Sequence, residues 1–411
     1  MTDLCATPGL LPVNEALAII LAKVTPITET LTLPIEKALG YVLANTVVSP
    51  LNVPPHDNSA MDGYAFALHD LASSTKLTLV GRSMAGAPFQ GVCQSGECVR
   101  VMTGATIPTG CDTVEMQENT DVEDEQVCFL AEKSLGANVR VAGEDIKQGD
   151  IVLKAGTVLN AVHVGILASL GIAHIKVYRK LRVALIATGD ELKLPGQPLS
   201  EGQIYESNRF VLLSMLRKLN MDVVDFGIIE DDMNALQDAF TKADADADVV
   251  ISSGGVSVGE ADYTKTVLEQ LGEIGFWKIA MKPGKPLAFG KLKNSIFFGL
   301  PGNPVSALIT FHQLAVVALV KMQNATGALK RTQLMARTMS PLKKSPGRQD
   351  FQRGFFSIND AGENVVTSTG AQGSGILSSL LHANCLIILA SEQGAVSAGE
   401  MVNIELFDDY L

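Results

Sequence analysis

Cysteine is scarce and unpaired in this 411-residue chain. The six cysteines, Cys5, Cys93, Cys98, Cys111, Cys128 and Cys385, form no CxxC pair, and none stands near histidine at zinc spacing. A disulfide framework is not expected in a chain of this size and composition. The N-terminus lacks the basic start and apolar run of a signal peptide. No stretch is expected to reach the roughly 18 apolar residues of a membrane span. These absences predict a reduced, cytoplasmic, soluble protein. Charge is thin as well. Charged residues make up 18% of the chain, against a usual level of about 25%. The net charge of −12 disfavours non-specific nucleic-acid binding and makes any local cluster of Lys and Arg more telling. Short-period repeats and low-complexity segments are also missing. The length allows about three domains, each with its own core.

What is present centres on residues 248–265, DVVISSGGVSVGEADYTK. The β-branched run from Asp248 to Ser252 predicts a buried strand. It breaks into Ser253-Gly254-Gly255, where two glycines let the backbone turn and point several N–H groups into one space. Such a nest binds oxyanions, and Ser252, Ser253 and Ser257 add hydroxyl donors. Asp262 then places a carboxylate beside the nest, just before a helix expected from Tyr263. Donors beside a carboxylate suit a phosphate ester held next to a divalent cation. A plain glycine turn between strand and helix would use the same residues.

Upstream, the apolar spacing of residues 13, 17, 20, 21 and 24 predicts a helix that Pro26 ends. A short second helix is expected over Pro34–Leu39, stopped by Gly40. Between residues 50 and 65, three prolines keep the first half extended. Asn58, Ser59 and Asp62 then crowd into a turn-rich loop, where polar groups serve either function or an Asx-type turn network. His56 is no candidate, because a lone histidine is more often filler. The stretch from Leu77 to Glu118 reads as β-rich. Within it, Thr103 on a glycine turn would donate to an oxyanion or cap the turn. Arg140 to Asp145 sets a cation and two carboxylates around one glycine, which a surface ion pair would also explain.

From Lys180 the pattern alternates strand and helix: a strand over Arg182–Ala187, a helix over Ser207–Leu219 with Ser207 as N-cap, a strand over Val223–Ile229, a helix over Asn234–Lys242, the strand before the nest, and a helix over Tyr263–Leu271. This order predicts a parallel sheet covered by helices, with ligands beyond the carboxyl ends of its strands. The strand ends fit. The first is followed by Thr188-Gly189-Asp190-Glu191, the second by Glu230-Asp231-Asp232, and the third by the nest and Asp262. Three acidic strand ends on one face resemble a hard-cation site, since Mg²⁺ favours a few carboxylates plus phosphate oxygens. Asp231 or Asp232 would alternatively cap the next helix.

Residues 276–290, FWKIAMKPGKPLAFG, predict a hairpin around Pro283-Gly284. Lys278, Lys282 and Lys285 cluster there, either as an anion site or, for two of them, as guards of an edge strand. A strand over Ile296–Leu300 runs into Pro301-Gly302-Asn303-Pro304, with Asn303 as cap, Pro304 at the first helical position and a second anion cradle at the helix start. Beyond a linker at Gly327–Arg331, the chain reads as a small β domain containing Arg348, Arg353 and the glycine-rich stretch Gly370–Ser374.

These residues resemble the molybdopterin molybdenumtransferase (MoeA) family, which includes the gephyrin E domain of animals. The matching segments are PPHDNSAMDGYA (54–65), MTGATIPTGCDTV (102–114), GEDI (143–146), ATGDEL (187–192), SGGVSVGEADYTK (253–265), KPGKP (282–286) and GLPGNPVSA (299–307). The last domain matches through DFQRG (350–354) and GAQGS (370–374). The resemblance implies an α/β multidomain protein. A scaffold of residues 1–50 plus 146–179 would carry an inserted β-rich domain at 51–145. A parallel-sheet molybdopterin-binding domain at 180–328 and a C-terminal β-barrel at 329–411 would follow. It also implies a homodimer.

The implied reaction inserts molybdate into adenylylated molybdopterin, with Mg²⁺-dependent cleavage of the diphosphate and release of AMP. On that reading Asp62, Asp145, Glu191, Asp231 and Asp262 are catalytic, and Glu191, Asp231 and Asp262 hold Mg²⁺. Ser252, Gly254, Gly255, Pro301, Pro304 and Ser306 would hold the phosphate and pterin ends, with Thr103 and Arg140 also on the substrate. Ser257, Lys278, Lys282, Lys285, Arg353 and Ser374 would provide donors for the molybdate dianion. Protein partners would be a molybdopterin adenylyltransferase and apo-molybdoenzymes. Competing expectations are an adenylyltransferase with the same α/β domain, a nicotinamide-nucleotide hydrolase, and a non-enzymatic scaffold of the gephyrin kind.

Overall fold

The computed structural model of the protein describes residues 9–130, 134–254, 263–327 and 331–407. Its N-terminal part is built from two separated pieces of chain. Helix α1 (Val13–Lys23) buries Val13, Ala16 and Ile20 on one face, at the helical spacing that the sequence predicts. Strands β1 (Thr30–Pro34) and β2 (Val47–Val48) wait for partners more than 100 residues away. The expected helix at 34–39 is a single 3₁₀ turn over Ile35–Lys37. A prolyl start and a Gly40 at φ +77° leave room for no more.

The inserted segment forms a six-stranded sheet from β3 (Gly63–Phe66), β4 (Lys76–Ser83), β5 (Glu97–Val101), β6 (Thr113–Met116), β7 (Thr120–Glu123) and β8 (Gln126–Phe129), in the order β6-β3-β5-β4-β8-β7. The chain then returns. Strand β9 (Ile151–Leu153) pairs β2, helix α2 (Ala161–Ser169) follows, and β10 (His174–Tyr178) pairs β1 from Thr30↔Tyr178 to Pro34↔His174.

The third part carries the site. It comprises β11 (Arg182–Thr188), α3 (Asn208–Lys218), β12 (Asp222–Ile229), α4 (Met233–Asp246), β13 (Val249–Ser253), α5 (Tyr263–Leu271), β14 (Glu273–Lys278), β15 (Met281–Lys282), β16 (Pro286–Lys291), β17 (Ile296–Leu300) and helix α6 (Pro304–Met322). The sheet order is β12-β11-β13-β17-β16-β14, parallel over the first four strands and antiparallel over the last two pairings. From β11 the chain moves outward to β12 and then crosses back to β13 on the other side. The strand order therefore reverses between β11 and β13, which opens a crevice at their carboxyl ends. One sheet face packs on α1, α3 and α6 through residues such as Ile251, Phe289, Phe298 and Leu216; the other packs on α4 and α5 through Ile186, Phe240, Phe297 and Leu268. Strands buried on both faces read as continuous apolar runs, which is the pattern of β11 and β13.

Three expectations need correction here. Residues 279–285 do not make a tight hairpin. Strands β14 and β16 pair antiparallel up to Lys278↔Pro286, but Met281–Lys282 leaves that sheet to pair with Gln349 and Asp350. Helix α3 is not capped by the Ser207 side chain; the Glu206 carboxylate accepts from the Arg209 N–H at 2.6 Å instead. Finally, α6 does reach membrane-spanning length. It is 19 residues long, and 18 consecutive residues of it have a mean hydropathy of 1.7, yet 89% of these are buried inside the protein. A helix enclosed by sheet, α1 and the last domain is apolar all round because it has no wet face. A π-turn at Phe311–Ala315 interrupts it and brings His312 and Gln313 toward Glu405 of the final strand.

The last part is a closed five-strand barrel of β18 (Gln333–Thr338), β19 (Gln349–Ile358), β20 (Asn364–Ser368), β21 (Cys385–Leu389) and β22 (Met401–Leu406). Its order is β19-β20-β18-β22-β21, closed by β19–β21 pairing, with β15 added outside β19. Closure removes the exposed edges that an open sheet of this size would leave.

Candidate active site at the strand ends

The crevice between β11 and β13 is built by close backbone approach. Ile186 and Ala187 pair with Ser252 and Ser253, so the two strands leave the sheet side by side. Gly254 follows at φ +93°, and a Cβ there would stand 2.5 Å from the Thr188 carbonyl oxygen. Only glycine permits both the turn and the contact. The backbone turn expected after the strand is present at Gly254; Gly255, Ser257 and Asp262, on which the expected nest also depends, lie outside the described residues.

Polar groups converge on this point from both faces of the sheet. Ser252 Oγ and Thr188 Oγ1 are buried with no hydrogen-bond partner among the described residues. On the opposite face, Asn208 at the start of α3 donates from Nδ2 to Ser253 Oγ at 2.9 Å and to the Gly302 carbonyl at 2.8 Å. That amide ties the end of β13 to the turn after β17, which contains Pro301 and leads to Pro304 and the buried Ser306. The turn is also held from the barrel: the Val305 N–H donates to the Ser374 carbonyl at 3.0 Å. One N–H of the expected cradle at the start of α6 is therefore already taken.

Carboxylates gather at the other lip. The Asp231 N–H donates to Asp190 Oδ1 at 3.1 Å, and burial, with Asp190 and Glu191 close by, raises the Asp231 carboxyl above its ordinary range. Glu191 folds back so tightly that a Cβ on Gly189 would stand 2.6 Å from Glu191 Oε2. Asp232, not Asp231, caps α4, accepting from the N–H groups of Asn234 and Ala235. That leaves Asp231 free of the alternative role. Among the described residues no set of three His, Cys, Asp or Glu side chains is close enough to enclose a metal ion. The donors that do gather are all carboxylates, a set for Mg²⁺ rather than Zn²⁺, and Mg²⁺ takes its remaining ligands from water and phosphate.

The basic candidates divide. Lys282 Nζ lies 3.3 Å from Oδ2 of the buried Asp350 on β19, so the excursion of β15 to the barrel fixes this lysine. Lys285 and Lys278 are exposed, and Lys278 ends β14, an edge strand. Arg353 is 1% exposed. Its guanidinium donates to Ser379 Oγ and to the carbonyls of Ala371 and Gly373, and so shapes the loop that ends in Ser374. Burial pushes its pKa down to about 10, still charged at neutral pH, and no carboxylate pairs with it among the described residues.

The candidates in the inserted segment form a separate group. Thr103 donates to Asp62 Oδ1 from both its N–H, at 2.7 Å, and its hydroxyl, at 2.8 Å. These bonds hold the exposed Asp62 carboxyl below its usual range. Arg140 pairs with Asn58 across a short ladder, and the Asp145 N–H donates to the Val53 carbonyl, so all four surround one loop. No hydrogen bond or ion pair among the described residues joins them to the crevice. Sequence reasoning missed Asn208, whose signal was a polar Glu-Ser-Asn-Arg run at a helix start. It also missed Asp350, hidden inside the DFQRG segment, and Asp190 as a partner of Asp231.

Known families match the chain in three consecutive stretches. Residues 11–171 match the MoeA N-terminal region, domains I and II. Residues 184–321 match a probable molybdopterin binding domain, and 335–407 the MoeA C-terminal region, domain IV. The molybdopterin molybdenumtransferase of Haemophilus influenzae is 50% identical over 385 residues, covering 93% of this chain and 95% of its own length. The chain belongs to the MoeA family. A molybdopterin molybdenumtransferase of Nostoc is 36% identical, over 89% of this chain and 86% of its own. The crystal structure of a molybdopterin biosynthesis MoeA protein from Pyrococcus horikoshii superposes with a TM-score of 0.84 at 29% identity, covering 97% of this chain and all of that one. The MoeA architecture, with its α/β multidomain build and closed C-terminal barrel, is thus the architecture of this protein.

Proposed function

We propose that this protein inserts molybdate into adenylylated molybdopterin, cleaving the diphosphate in the presence of Mg²⁺ and releasing AMP. The observation that carries the reading is the split crevice at the ends of β11 and β13. Neutral donors line one side and crowded carboxylates the other. Membership of the MoeA family supports it, as does the name of the Haemophilus and Nostoc relatives, molybdopterin molybdenumtransferase.

Each residue then has a task. Ser252, Gly254 and the 301–304 turn would bind the phosphate and pterin portions, a task that Gly255, Ser257 and Ser306 would share. Glu191, Asp231 and Asp262 would hold Mg²⁺, which when bound offsets charge on the diphosphate oxygens. Asp190 orients Asp231 by accepting its N–H. Water attacks one phosphorus, the bridging P–O bond breaks, and a neighbouring carboxylate takes the proton. Molybdate is a dianion and must be kept apart from these acids. Lys282 and Lys285 would supply cations for it, with Lys278 on an edge strand as a further one and Ser374 as a neutral donor, while the buried Arg353 would serve by shaping the loop that ends in Ser374.

No hydrogen bond or ion pair among the described residues ties Asp62, Thr103, Arg140 and Asp145 to the crevice. We assign them to the crevice of a second copy in a homodimer. The reaction would run in the cytoplasm, where a molybdopterin adenylyltransferase supplies substrate and apo-molybdoenzymes take the product. The test is incubation with adenylylated molybdopterin, molybdate and Mg²⁺. AMP release that needs all three, together with activation of an apo-molybdoenzyme, is expected. Absence of both would overturn the reading.

A further inference from the structure

Asn208 has no assigned role in this chemistry, yet it is the residue that joins the two ligand-facing turns. Its Nδ2 sits 2.9 Å from Ser253 Oγ and 2.8 Å from the Gly302 carbonyl. A carbonyl oxygen can only accept, so the amide orientation is fixed: the nitrogen faces Gly302. The remaining atom, Oδ1, is then an acceptor, and it is shielded from solvent with no partner among the described residues. An acceptor left unmade at such a position costs free energy, and that cost persists in a fold only where something repays it.

The position of Asn208 is itself built. The Glu206 carboxylate, buried at 3% exposure, accepts the Arg209 N–H at 2.6 Å, and the Arg209 guanidinium pairs with Asp225 on the neighbouring strand β12. The first turn of α3 is thereby locked to the sheet, and the amide of Asn208 has little freedom to swing. A rigid amide with its donor committed and its acceptor open discriminates strongly between ligands that can donate and ligands that cannot.

We infer that Asn208 is both a positioning and a specificity residue. Its nitrogen holds the β13 end against the turn after β17, and its oxygen accepts a hydrogen bond from an N–H or carbon-borne O–H of the phosphate ester seated there. This inference rests on the reading that a phosphate ester binds the crevice. The donor belongs either to the nucleotide part or to the pterin part of that ester, and the test separates the two.

Binding of three probes with Mg²⁺ is measured by calorimetry on the full chain: inorganic pyrophosphate, AMP and 6-hydroxymethylpterin monophosphate. Pyrophosphate offers no N–H or carbon-borne O–H. Asn208→Ala is expected to weaken one of the two esters roughly three- to tenfold more than it weakens pyrophosphate, the loss of about one neutral hydrogen bond. The ester affected identifies the half that lies beside Asn208. Asn208→Asp keeps an acceptor but turns the donor toward Gly302 into another oxygen, so it is expected to weaken all three probes alike. Equal weakening of every probe by Asn208→Ala, or no weakening, would overturn the specificity role. If that variant fails to fold, Asn208→Ser gives the same comparison. Wild-type protein that binds none of the probes would overturn the phosphate-ester reading itself, a distinct result.

Discussion

Asp231 stands in an electrostatic position that packing alone does not explain. Asp190 and Glu191 crowd it with like charge, and its carboxyl is raised above the ordinary range. Such an arrangement costs stability unless a cation offsets it, and functional sites are where proteins tolerate that cost. Asp231→Asn and Glu191→Gln are therefore expected to abolish Mg²⁺-dependent AMP release while leaving the melting temperature in Mg²⁺-free buffer unchanged or slightly higher. Unaltered turnover in both variants would remove these acids from the cation site. Lys282 belongs to a different test. Held by Asp350 at 3.3 Å, it is placed to bind an anion, and a charge-assisted hydrogen bond is worth about 1.5–3 kcal/mol. Lys282→Ala should raise the molybdate concentration needed for half-maximal activity at least roughly tenfold, with activity restored at high molybdate. If excess molybdate restores nothing, the anion site lies elsewhere. Arg353 is expected to act through structure. Arg353→Ala removes the bonds that shape residues 371–374, leaves a cavity where a buried side chain stood, and should destabilise the protein by about 2 kcal/mol or more, read from urea unfolding.

At the scale of elements, the strand-to-strand joints set how firmly the crevice is held. Asp248 opens β13, and its carboxylate takes both guanidinium arms of Arg179, at 2.7 and 2.8 Å, and the Arg182 N–H at 2.8 Å. Burial pushes the Asp248 carboxyl up, but these bonds outweigh it and hold the group below its ordinary range. For an acid depressed in the folded state the stabilisation is complete above the unfolded value of about 3.9 and disappears as pH falls through the folded value. Asp248→Asn should therefore cost about 1–3 kcal/mol at pH 7, and the difference from wild type should shrink as urea unfolding is repeated below about pH 4. A difference that stays constant down to low pH would show that the carboxylate charge is not what matters. The same elements show what a sequence makes legible. Alternation of strand and helix from Lys180 onward, and acids at strand ends, follow from periodicity and turn chemistry, and they led to Asp231, Glu191 and the turn at Gly254. The excursion of Met281–Lys282 to the barrel was not legible, because pairing with Gln349 and Asp350 is a contact between segments nearly 70 residues apart. Glu206 as the cap of α3 was hidden for a related reason: Ser207 has the better local propensity, but a buried Arg209 draws the carboxylate inward.

For the whole molecule, the decisive question is where Asp62 acts. It is fixed by Thr103 on the loop of the inserted segment, while Glu191 belongs to the crevice after β11, and nothing among the described residues bridges the two groups. The chain between them passes back through β9, α2 and β10. If both acids serve one reaction, the inserted segment of one subunit must face the crevice of another. Mixing tests this directly. Asp62→Asn and Glu191→Gln homodimers should each be inactive. A purified mixed dimer would hold one site with both changes and one with neither, so its activity should return to about half of wild type if the sites act independently. Were both acids drawn from one chain, every site of the mixed dimer would carry one change and remain dead. Verified subunit exchange without recovery would thus sink the shared site and leave the strand-end chemistry standing, since Glu191, Asp231 and the donors at Ser252 and Gly254 lie within a single chain.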